Sequence, residues 1–263
     1  MADELRPAVV RIAAGEFVMG AEDGDEDERP PHAAYLDEFC IGIHPVTNAE
    51  YARFVRDTSH PSPAIGEIPL IASGKLEGDF RTLAAAYCWN NGTFPAGRDL
   101  NPVTLVRYED AAAYCEWLAS QTSQPIRLPT EAEWERAARG GIDGQRFPWG
   151  DAMNPACAHV LPQAGAKAES GTAAVGSYPA TGFQLLDMAG NVWEWVSDWY
   201  APQYYSRAQL LNPRGPESGV MRIVRGGSWV NADEGYLRCA YRHKVPPDSY
   251  AYSIGFRVAY SPT

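Results

Sequence analysis

One loop of this chain has the residue types that bind a hard cation. It reads Asp187-Met188-Ala189-Gly190-Asn191-Val192-Trp193-Glu194. Calcium takes roughly six to eight oxygens from carboxylates and backbone carbonyls. Asp187 and Glu194 offer carboxylates, Gly190 and Val192 offer carbonyls, and a glycine permits the tight wrap. The same carboxylates would equally accept N–H bonds across the loop, and spacing alone does not choose between the two roles. A second acidic run, Glu22-Asp23-Gly24-Asp25-Glu26-Asp27-Glu28, lacks the ordered ligand positions of a calcium loop and reads as a solvated surface.

Other chemistry is harder to assemble. His32, His44, His60, His159 and His243 are scattered, with no pair one helical turn apart, so a facial iron triad has no support from spacing. Ser228 follows Gly226-Gly227 without a nearby base. There is no Gly-x-Ser-x-Gly, P-loop or dinucleotide fingerprint. Arg222, Arg225, Arg238, Arg242 and Arg257 crowd the C-terminal part. Bidentate pairing with buried carboxylates would brace loops that lack ladder hydrogen bonds. An anion pocket is the bolder alternative.

The elements that must position these residues are short. Residues 8–20 read as a strand, a glycine turn and a second strand, and residues 33–43 as another strand. Thr47 and Glu50 form a capping box that opens a helix to about Asp57, with Ala49, Ala52 and Val55 or Phe54 inward. Residues 58–100, with Pro61, Pro63, Pro69 and Pro95, read as an irregular insertion or binding loop. Pro102 to Val106 is strand-like. Ala111, Tyr114, Cys115 and Leu118 form one apolar stripe on a helix from Glu109 to about Ser120. Thr130 and Glu133 form a second capping box, and Gly140-Gly141 stops its helix. After Gly150 the chain reads as loop-rich to its end.

The 263 residues show no repeat, linker or composition shift, so one domain over 1–263 is expected. A chain of this length buries a sizeable core without staples. A net charge of −11 argues against nucleic acid and against an anionic membrane surface. Cys40, Cys88, Cys115, Cys157 and Cys239 are an odd, scattered set and read as reduced thiols. With no apolar leader and no long apolar run, a cytoplasmic location is expected.

The ordered motifs resemble one family. Gly15 to Gly20, Pro45 to Tyr51, Arg127-Leu128-Pro129-Thr130-Glu131-Ala132-Glu133-Trp134-Glu135, Phe147 to Asp151, Gly190 to Trp195, Arg225 to Trp229 and Gly255-Phe256-Arg257 follow the order of the formylglycine-generating enzymes, or sulfatase-modifying factors. The resemblance implies a loop-rich α+β fold related to C-type lectins. It also implies a structural calcium site at Asp187, Gly190, Val192 and Glu194. The family's other calcium site looks lost, since His159 and Lys167 stand near its ligand positions.

Two departures matter. Arg107-Tyr108 replaces what is usually a small residue and Trp. The sulfatase-activating members carry a cysteine pair shortly after Gly-Gly-Ser; those thiolates hold copper and perform the oxidation. Here no cysteine lies between Ser228 and Arg238, so no copper is expected and peptidyl-cysteine oxidation is not. Cys239 reads as a packing residue.

What remains in the corresponding groove is Trp229, Asn231, Asp233 and Tyr236, then Tyr241, His243, Tyr250 and Tyr252. Such residues suit recognition of a peptide, protein or small-molecule ligand. A cation-stabilised binding module is therefore expected. The alternatives are a divergent oxidoreductase, like the siderophore-maturation relatives or the hercynine oxygenases, and a retroelement-diversified lectin-like receptor.

Overall fold

In the computed structural model, residues 5–66, 77–161 and 171–262 are described. Lys167 lies outside them. The chain opens with β1 (Val9–Ile12), β2 (Gly15–Met19), β3 (His32–Leu36) and β4 (Phe39–Gly42). β2 and β3 form a hairpin sheet, while β4 lies between β1 and β9 (Ala259–Tyr260). The single strand expected over 33–43 is thus two strands. The break at Asp37-Glu38 lets β3 and β4 serve different sheets.

Helix α1 (Asn48–Thr58) has the expected capping box: Glu50 N–H donates to Thr47 Oγ1, and Thr47 N–H donates to the Glu50 carboxylate. Its buried face is Tyr51, Phe54 and Val55; Ala49 and Ala52 are only partly covered. α3 (Tyr108–Thr122) buries Ala111, Tyr114, Cys115 and Leu118, the stripe read from periodicity, and α1 packs against it. α4 (Glu131–Arg139) starts at the Thr130–Glu133 box and stops at left-handed Gly140.

Three expectations need correcting. The 58–100 segment is not wholly irregular, because α2 (Glu77–Ala84) and a 3₁₀ turn at Ala85–Tyr87 lie within it. Phe80, Ala84 and Tyr87 bury against the main core, which stabilises this short helix. Pro102 to Val106 is not a strand. Pro102 makes one isolated bridge to Thr47, and Leu105 turns left-handed at φ 60°.

The C-terminal part, expected to be loops, carries a four-stranded sheet in the order β7-β6-β5-β8. These are β5 (Trp193–Trp199), β6 (Arg222–Arg225), β7 (His243–Val245) and β8 (Ile254–Phe256). All are short, and β5, β6 and β8 are largely covered on both faces, so polar–apolar alternation is missing. Leu118, Trp195, Val224, Ile254 and Phe256 join one large core, and Trp134, Val196 and Ile223 a second. No helix among the described residues is long and apolar enough to cross a membrane.

Candidate functional site

The 187–194 loop is wound tightly. Asp187, Gly190 and Asn191 all have positive φ, and a side chain at Gly190 would meet the His159 backbone at 2.6 Å. Asn191 accepts from Ala173 N–H and donates to Ala173 O, and Asp187 Oδ2 accepts from Gly176 N–H at 3.0 Å. Glu194, fully buried, accepts from Arg257 Nε at 2.6 Å, Arg257 Nη2 at 2.7 Å and Trp134 Nε1 at 2.8 Å. Arg257 also donates to the carbonyls of Gly42 and Leu186.

This arrangement bears on calcium. An ion shared by Asp187, Glu194 and the carbonyls of Gly190 and Val192 would place a guanidinium against its own ligand. Like charges at that range repel strongly in a buried site. As placed, the Glu194 carboxylate is taken up by Arg257 and Trp134. The ring nitrogens of His159 meet Tyr178 Oη and Gly171 O.

The other C-terminal arginines pair as the sequence suggested. Arg225 reaches Glu135 at 2.6 Å and Glu131 at 3.3 Å, and Arg242 reaches Glu131 at 2.7 Å. Arg139 closes the chain onto Glu135. Burial alone would raise the Glu135 carboxyl, but Arg139 and Arg225 outweigh it and hold it below the ordinary range. Arg238 grips Glu28 in a bidentate pair, and Lys244 and Tyr200 bond Asp27. The acidic run is therefore not simply solvated. Asp27 and Glu28 are buried, because C-terminal cations draw that end of the loop onto the body. Arg222 departs from the pattern: it stacks between Tyr108 and Trp199.

The segment after Gly-Gly is a structured turn. Gly226 and Gly227 have φ 94° and 72°, and a side chain on Gly226 would meet Trp134 at 3.0 Å. Asn231 Oδ1 accepts from Ser228 N–H at 2.8 Å and from Ser228 Oγ at 3.0 Å. Asp233 caps the 3₁₀ turn Glu234–Leu237 by accepting from Gly235 N–H.

The eight expected ligand residues do not form one surface. Trp229 and Tyr250 are 7% and 2% exposed, packed under the insertion. Tyr87 stacks on Trp229 and Tyr252, and Phe80 contacts Tyr250 and Tyr252. Tyr236, Tyr241 and His243 gather instead around Trp193, at centroid distances of 6.1, 6.0 and 4.9 Å, and remain half-buried. Burial, then Lys244, lowers the His243 pKa and favours the neutral ring. Asn231 is half-buried and Asp233 exposed, both spent on the turn. Sequence reasoning missed Trp193, Phe80 and Tyr87, which organise these two groups. The insertion's aromatics were the available signal.

Three of the thiols are locked in the core. All five cysteines are unpaired. Cys115 and Cys239 are buried, and burial pushes the Cys239 thiol up to about 12. A thiol so held is neither nucleophile nor ready ligand.

The scaffold is thus a loop-rich α+β fold braced by buried arginine–carboxylate pairs. Residues 2–262 match the Sulfatase-modifying factor enzyme 1-like domain, and the chain belongs to that family. It is 37% identical to the formylglycine-generating enzyme of Streptomyces coelicolor, over 95% of this chain and 88% of that one. It is 33% identical to the inactive C-alpha-formylglycine-generating enzyme 2 of Mus musculus, over 97% and 86% of the two chains. The structure of PvdO from Pseudomonas aeruginosa superposes with a TM-score of 0.79 at 26% identity, covering 98% of this chain and 96% of PvdO.

Proposed function

We propose that this chain is a non-catalytic recognition module on the sulfatase-modifying factor scaffold. It holds a peptide, protein or small-molecule ligand and does not oxidise a peptidyl cysteine. One observation carries the reading: the turn from Ser228 to Leu237 contains no thiol, is closed by Asn231 and Asp233, and presents Tyr236 beside Tyr241 and His243. Partly exposed aromatic faces on a rigid turn give contact area at low entropic cost. Copper has no thiolate pair to bind there. The module is read as one domain over 1–263, working in the cytoplasm without nucleic acid or membrane. Its 187–194 loop is pinned by Arg257.

A random peptide library panned on purified protein should enrich a consensus. Tyr236→Ala and Tyr241→Ala together should abolish the enrichment without lowering the melting temperature by more than a few degrees. Equal enrichment on the double variant contradicts the assignment. The likeness to a formylglycine-generating enzyme favours a divergent oxidoreductase as the second reading. A stoichiometric redox metal in the purified protein would support it.

A further inference from the structure

Arg107 is an unusual residue to find where it stands. It precedes α3, and its side chain is exposed. Among the described residues its guanidinium has no carboxylate partner; it lies 5.5 Å above the Tyr250 ring. The C-terminal arginines other than Arg222 are all paired with acids, so this free cation is not part of the bracing network.

The guanidinium borders a pocket of about 290 Å³. Its walls are the Pro61–Gly66 stretch on one side and Leu105, Val106 and Tyr250 on the other. Leu105 is left-handed, an uncommon and costly state for a bulky residue. It is locked there by Leu105 N–H donating to Ala251 O, and Val106 O accepts from the Trp195 indole. That turn aims the chain so that Arg107 follows at the pocket rim.

The same pocket is lined by Asp110. One Asp110 oxygen accepts from Arg107 N–H at 2.8 Å, and the other lies 2.8 Å from His60 Nε2. A carboxylate has about four acceptor sites, so lone pairs remain for a ligand donor. A plain anion would be drawn to Arg107 and repelled by Asp110; a plain amine the reverse. A small molecule with both charges and an apolar body satisfies all three features.

We infer that this pocket binds a free apolar α-amino acid, its carboxylate on Arg107, its ammonium on Asp110 and its side chain against Pro61, Pro63 and Ile65. The volume sits at the low end for ligand pockets, which suits a molecule of that size. The site shares none of Tyr236, Tyr241 and His243 with the recognition surface proposed above, so either assignment stands without the other.

Isothermal titration of the whole chain with L-phenylalanine, 3-phenylpropanoate and 2-phenylethylamine tests this. L-Phenylalanine should bind saturably, and the two analogues, each lacking one charge, at least about tenfold more weakly. Arg107→Ser and Arg107→Gln should each lose at least about tenfold in affinity while melting like the parent. Tyr241→Ala should bind as the parent does. Absence of saturable L-phenylalanine binding overturns the inference. So does undiminished binding by both Arg107 variants, or equal binding of 3-phenylpropanoate.

Discussion

Glu194 and Arg257 show how a single side-chain pairing changes the meaning of a motif. The spacing from Asp187 to Glu194 left open whether the carboxylates hold an ion or accept N–H bonds. Arg257, more than sixty positions away in the chain, takes up Glu194, and no local pattern reveals such a partner. Removing one member of a buried pair strands the other charge. Glu194→Gln should therefore cost roughly 3–5 kcal/mol in urea unfolding. A loss below about 1 kcal/mol would mean that the pair is not the loop's anchor.

Asp198 offers a pH test at the same scale. Burial, then Glu131, pushes its carboxyl up to about 7. Its folded pKa exceeds the unfolded value near 4, so the folded state binds the proton more tightly between those limits. The contribution to stability is full below about pH 4 and is lost as pH rises through about 7. Asp198→Asn keeps an acceptor for Glu131 N–H and removes the ionisation. It should raise the melting temperature at pH 8 and leave it nearly unchanged at pH 4. A gain equal at both pH values would contradict the assignment.

Elements differed in how readable they were. α1, α3 and α4 were legible because capping boxes and a 3.6-residue stripe are local signals. Thr130→Ala should cost about 1 kcal/mol by removing the acceptor for Glu133 N–H. The strands of the C-terminal sheet were not legible. β5 is buried on both faces, β7 and β8 span three residues each, and their partners lie far along the chain. α2 was hidden for a similar reason: Phe80 and Tyr87 hold it by contacts with Tyr250 and Tyr252. The Gly226-Gly227 turn joins β6 to the recognition segment. Gly226→Ala, strained at φ 94° and pressed on Trp134, should destabilise by more than about 1 kcal/mol. Little change in the unfolding midpoint would show that the turn relaxes.

For the whole molecule, the ordered motifs located the family, and the arginines near the C-terminus foretold its ion-pair bracing. What they did not disclose is which aromatics stay open to solvent, since the insertion that covers Trp229 and Tyr250 carries no pattern pointing to its target. If Arg257 stands in for a cation, millimolar calcium or a chelator should leave the melting temperature unchanged. A rise of several degrees with calcium would restore the ion to the 187–194 loop.

The central claim is that the family scaffold persists here without its copper–thiolate chemistry. Its most direct test is incubation of the copper-treated protein with a cysteine-bearing sulfatase peptide in air, followed by mass spectrometry. The account predicts that the peptide cysteine remains unconverted while a parallel reaction with the Streptomyces coelicolor relative yields the aldehyde. Aldehyde formation by this chain at a comparable rate would contradict it.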